Sequence, residues 1–262
     1  NIVHKNMNIP QFDYGGDGVP LHFLHANGYP PDCYKPLLEL LKTQYHVFGM
    51  TLRPLWNDSK LEDITDWHPF SDDLLRFLSD RASTSLSEGP VIGVGHSIGC
   101  IVTLRAALRE PSQFRALVLL DPVLFKPSFL AMWNFVRAIG LGSKLHPKIP
   151  GAMKRRRTFD NLDMVFRGYR TREVFKYMSD ESLRAYIEGI TKQRPDGSYE
   201  LAFSPEWESH IHLTGLRDFD LWRGLPKLEV PTLIIRGAET DTFLKDAVML
   251  VETLQHDLRD VQ

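Results

Sequence analysis

At 262 residues, with 43% apolar and 24% charged side chains, the chain has room for one large α/β core that carries an insertion. No apolar run approaches the roughly 18 residues of a membrane span, and a formal charge of -2 supplies no field to draw in nucleic acid or an anionic lipid surface. The composition therefore favours a small-molecule partner.

Taken in chain order, five short runs rich in Val, Ile, Leu and Phe (residues 21–24, 46–50, 91–94, 116–120 and 232–235) suit strands buried on both faces. Helical patterns at 34–41, 67–78 and 98–108 separate the first four, and this alternation predicts a mainly parallel sheet flanked by helices. In the third helix Arg105 and Arg109 share one face, apolar residues fill the rest, and Pro111 stops it. After residue 120 the rhythm breaks for roughly 110 residues, far longer than an ordinary connection. "FLAMWNFVRAI" and "ESLRAYIEGI" in this stretch are helical, and "PDGS" is a turn. The expected organisation is a core of residues 1–122 and 226–262 with a helical cap at 123–225. The basic cluster at 154–157 is expected to be a solvated face.

Cys33 and Cys100 form no CxxC pair and read as reduced thiols, so no metal or cofactor is expected. No charged-then-apolar leader is visible, which makes the cytoplasm the default location. The oligomeric state is left open.

The chemistry concentrates in "VIGVGHSIGC", residues 91–100. A strand leads directly into a serine between glycines and then a helix, which is the context of a GxSxG nucleophile elbow. The turn lifts the Ser97 hydroxyl to the rim of the sheet, with a helix amino terminus behind it to favour a developing oxyanion. Gly95 and Gly99 let neighbouring backbone approach closely.

On these residues the chain resembles the capped serine hydrolases of the α/β-hydrolase superfamily along nearly its whole length. "LHFLHANGYP" at 21–30 is similar to the family's strand and oxyanion loop, with Ala26 where glycine is usual. By that likeness the backbone N–H groups of Asn27 and Ile98 would form the oxyanion hole. "PTLIIRGAETDTF" resembles the strand and turn that carry the triad acid, and it places Asp241 in that role. Asp121, in "LLDP", is the alternative acid. Tyr29, His96, Phe125 and Trp133 are expected to contact substrate. A serine at the elbow argues against dehalogenase and epoxide hydrolase chemistry, which use a carboxylate.

The resemblance also requires a histidine after the acid, and the only one is His256. Helical spacing puts it opposite the stripe of Leu244, Ala247, Val248, Val251, Leu254 and Leu258, facing away from Ser97. His25 is expected to brace backbone, and His96 leaves the turn in another direction. His210 and His212 could hang over the site from the cap. "RDVQ" reads as the start of a final, incomplete strand, so the family's catalytic histidine is expected beyond Gln262. The implied activity is cleavage of carboxylic esters of small to medium apolar acids through an acyl-enzyme. Carbon–carbon hydrolysis, lactone opening or perhydrolysis on the same elbow are alternatives, as is a small-molecule binding protein with little turnover.

Overall fold

The computed structural model describes residues 9–83, 89–254 and the backbone of 259–261. A short edge strand, β1 (Gln11–Gly15), precedes β2 (Val19–Leu24), helix α1 (Lys35–Leu41) and β3 (Tyr45–Met50). Helix α2 (His68–Ala82), β4 (Val91–His96), α3 (Ile98–Arg109) and β5 (Phe114–Leu120) follow. Their sheet continues in β9 (Thr232–Ile235) and β10 (Arg259–Val261), with α11 (Lys245–Leu254) between these two. The strand order is β1-β3-β2-β4-β5-β9-β10, and every pairing is parallel except β1 with β3. This is the mostly parallel sheet with flanking helices that the alternation predicts.

Burial explains why those runs become strands. Phe23, Leu24, Val47 and Met50 are essentially inaccessible, as side chains on both faces of a covered sheet must be. The 232–235 run folds as β9 with no shift in its ends. The strand expected at "RDVQ" is present as β10, with Arg259 opposite Leu233. His256 lies outside the described residues. β1 has no counterpart in the sequence reading, because "QFDYG" carries only two apolar side chains, Phe12 and Tyr14, and none of its residues is fully buried. It is held by antiparallel pairing to β3, with an irregularity between Asp13 and Gly15.

Between β5 and β9 the chain carries seven helices: α4 (Pro127–Ala138), α5 (Gly142–Leu145), α6 (Ile149–Met153), α7 (Leu162–Arg170), α8 (Asp180–Gly189), α9 (Pro205–Thr214) and α10 (Phe219–Gly224). Helices α4 and α8 match the two helical patterns. The expectation of a purely helical insertion is corrected, because β6 (Thr158–Phe159), β7 (Thr191–Gln193) and β8 (Tyr199–Leu201) form an antiparallel sheet in the order β6-β8-β7. The strands are too short to show a period. Only the "PDGS" turn, where Gly197 takes φ 83° and Asp196 accepts the Ser198 N–H, signals their hairpin.

Arg105 and Arg109 do not share a solvent face. Arg109 is exposed and pairs with Asp72, whereas Arg105 is buried and bonds Asp218 (2.6 Å) and Asp220 (2.7 Å), which tie the end of the insertion to α3. Arg105→Met strands Asp218, itself almost fully buried, without its cation. Chemical denaturation should show a loss of about 3–5 kcal/mol, the cost of breaking a buried pair from one side.

Candidate active site

The junction of β4 and α3 is a strained turn. Ser97 has φ 56° and ψ −116°, a left-handed conformation that a side chain tolerates only when its surroundings impose it. Two bonds do so: Ser97 N–H donates to Leu120 O at 3.0 Å, and Ser97 O accepts from Cys100 N–H at 3.1 Å. The flanking glycines serve close approach. A Cβ on Gly95 would fall 2.6 Å from Cys100 N, and one on Gly99 would fall 2.9 Å from the Leu24 carbonyl carbon. Ser97 Oγ makes no hydrogen bond to any described residue, and it faces a cavity of about 390 Å³. Ile98 is the first residue of α3, so its N–H has no carbonyl one turn back and stays free for a ligand.

Asn27 and Ile98 line the same cavity as Ser97. The loop bearing Asn27 turns at Gly28, φ 74°, while Ala26 keeps an ordinary negative φ, so alanine is tolerated where glycine is usual. Its backbone is braced from three sides. His25 Nε2 accepts the Leu52 N–H at 3.0 Å, its Nδ1 donates to Ala26 O at 2.9 Å, and Ala26 N–H donates to the Tyr34 hydroxyl at 3.1 Å. The Tyr34 hydroxyl in turn donates to His96 Nδ1 at 2.7 Å. His25 thus has the bracing role expected of it.

His96 and Tyr29 are not among the residues lining the cavity, which corrects their assignment to substrate contact. His96 is taken by Tyr34, and Tyr29 packs edge-on or tilted in an aromatic cluster with Tyr34, His96 and Tyr186 of α8. Phe125 and Trp133 do line the cavity, joined by Phe129, Leu216 and Leu244. Leu244 was expected in the buried stripe of α11, yet it precedes that helix, is 46% exposed, and turns to the cavity.

Asp241 also lines the cavity, but its side chain is 74% exposed and pairs with Lys148 Nζ at 3.1 Å. Asp121 has φ 48°, and its Oδ1 accepts the Gly237 N–H at 3.2 Å. It therefore tethers the turn that leads to Asp241. His210 is committed elsewhere, its Nε2 bonded to Ile64 O at 2.7 Å. His212 lines the cavity with its ring 5.1 Å from that of His146, which sequence reasoning missed because it sits in a short irregular link between α5 and α6. Among the described residues no histidine is hydrogen-bonded to Ser97 or Asp241, and none forms a metal-binding cluster with other His, Cys, Asp or Glu side chains.

Burial sets the charge state of these rings. It lowers the pKa of His22 and His212 to about 3 and that of His25 to about 4, from the usual 6.5. A lowered native pKa means that the unfolded chain takes up protons first as pH falls. The stabilisation is full above pH 6.5 and is lost progressively as the pH drops through 4 toward 3. Melting curves between pH 7 and pH 3.5 should show a steady fall in Tm over that window. A flat profile would remove the neutral-histidine account.

A model described as "Alpha/beta hydrolase family" matches residues 23–261. The chain belongs to the alpha/beta hydrolase family. It is 25% identical over 114 residues to an (E)-2-((N-methylformamido)methylene)succinate hydrolase of Acinetobacter baylyi, covering 41% of this chain and 39% of that protein. It is 27% identical over 121 residues to a type I acyl-CoA thioesterase of Penicillium brevicompactum, covering 41% of this chain and 27% of that one. The chain thus spans well under half the length of these curated relatives. The crystal structure of E-2-(acetamidomethylene)succinate hydrolase superposes with TM-score 0.71 at 21% identity, over 96% of this chain and 84% of that one. At that identity the likeness concerns the fold. No helix among the described residues is long and apolar enough to cross a membrane.

Proposed function

We propose that this alpha/beta hydrolase is a serine hydrolase that cleaves carboxylic esters of small to medium apolar acids through an acyl-enzyme, with residues 123–225 acting as a lid. The observation that carries the reading is Ser97. Its backbone is left-handed, its Oγ is unbonded among the described residues, and it opens on a cavity walled by Phe125, Phe129, Trp133 and Leu216.

In this reading Ser97 Oγ attacks the ester carbonyl carbon while an imidazole takes the hydroxyl proton. The carbonyl oxygen becomes an oxyanion that accepts the N–H groups of Asn27 and Ile98. Collapse breaks the bond to the alcohol oxygen, which receives the proton, and water then frees the acid by the same route. Asp241 is the carboxylate that orients the imidazole. The apolar walls hold the acyl chain, and no cofactor is required. The unpaired thiols Cys33 and Cys100 fit a reducing compartment such as the cytoplasm. The acyl-CoA thioesterase relative supports thioesters as a further acyl donor, because the same elbow attacks either carbonyl.

A ligand-binding protein with little turnover is the second reading, favoured by the engagement of Asp241 with Lys148 Nζ. A fluorophosphonate probe followed by peptide mapping separates the two. Modification of Ser97 is the expected result; a protein that binds apolar esters yet leaves Ser97 unmodified is a receptor.

A further inference from the structure

The basic cluster at 154–157 is not a uniform solvated face. Arg157 turns away to Glu206, with contacts of 2.9 and 2.5 Å. Lys154, Arg155 and Arg156 instead join Arg172 around a groove of about 470 Å³ that is also lined by the buried Phe159 and the half-buried Tyr169. Among the lining residues Asp160 is the sole carboxylate.

The four cations are held differently. Arg155 is fixed by Glu208 at 2.5 Å, both side chains being largely buried. Arg156 donates Nε to Thr158 O at 2.7 Å and stands 3.5 Å from Asp160. The Arg172 guanidinium lies over the Tyr169 ring at 4.2 Å, and Lys154 Nζ has no partner among the described residues. A concave surface with this excess of positive charge concentrates anions, and guanidinium forks match the oxygens of a phosphate.

The position of the groove relative to Ser97 narrows what it would hold. Lys148, the residue before α6, lines the Ser97 cavity, whereas Gly151 within α6 and Lys154 just after it line the groove. Six residues of helical rise put the Lys148 and Lys154 backbones about 9 Å apart. A second link runs through α9, where Glu208 holds Arg155, His212 one turn on lines the Ser97 cavity, and Glu208 O accepts Asn27 Nδ2–H at 3.0 Å.

We propose that the groove binds the phosphate of a phosphorylated leaving group whose acyl carbonyl lies at Ser97. The assignment to a leaving group rests on the hydrolase reading; the affinity of the groove for phosphate does not. The test compares S-butyryl-4′-phosphopantetheine with S-butyryl-pantetheine, which differ only in the phosphate. A KM about tenfold lower for the phosphorylated compound is expected, equivalent to one charge-assisted contact. The advantage should shrink toward unity in Arg156→Gln and in Lys154→Gln, both exposed side chains whose replacement leaves the fold intact. Equal KM values for the two thioesters overturn the proposal. If neither is turned over, the hydrolase reading fails for thioesters, and calorimetric Kd values for the intact pair decide the groove by the same ratio. Inorganic phosphate that binds as tightly as the phosphorylated thioester would assign the groove to a free anion and overturn the leaving-group role.

Discussion

Ser97→Ala is expected to lower ester hydrolysis by about 10⁵-fold or more, the scale on which an isolated nucleophile deletion acts in serine hydrolases. Stability should change by less than about 0.5 kcal/mol. The contrast follows from the geometry. Ser97 Oγ holds no hydrogen bond to a described residue, so its removal breaks nothing inside the protein, and alanine meets the same backbone strain at φ 56° that serine already bears. Steady-state rates with a chromogenic butyrate ester, together with a melting curve, check both halves. A variant that keeps a tenth of the wild-type rate would place the nucleophile elsewhere.

Asp241→Asn is expected to reduce kcat by about 10⁴-fold, because an amide in place of the carboxylate favours the wrong imidazole tautomer. Its ion pair with Lys148 is exposed on both sides and adds little to stability. Asp121→Asn should keep kcat within about tenfold of wild type, since Asp121 Oδ1 is engaged by the Gly237 N–H and an asparagine oxygen can accept the same bond. Reversed results, with Asp121→Asn the more damaging, would move the acid to the end of β5. The position of Asp121 at positive φ beside the same turn makes that comparison a necessary one.

Local pattern carried much of the fold. The four runs that became β2 to β5 and the run at β9 were legible because strands covered on both faces must be apolar throughout, and "GHSIG" was legible because close backbone approach admits only glycine at its ends. Elements that draw their stability from partners were not legible. β1 has only Phe12 and Tyr14 to bury and is held by pairing with β3, and β6, β7 and β8 are two or three residues long. A period of two cannot show in so few positions.

The site divides along the same line. Ser97, Ile98 and Asn27 follow from motifs that bend the chain locally, and Phe125 and Trp133 fall where an apolar insertion would place them. Tyr29 and His96 sit beside those motifs in sequence, but hydrogen bonding and ring packing direct both into the Tyr34 cluster. His146 and Lys148, His212, and Leu244 reach the cavity from three separate segments. What the sequence determined by itself was the strained serine turn and the parallel sheet beneath it, because steric exclusion and burial act over a few neighbouring residues. Only the tertiary structure decided which side chains between β5 and β9 face Ser97 and that Arg105 is buried against two aspartates. It alone brought Arg172 beside residues 154–156, since these are meetings of groups distant in sequence that no local spacing encodes.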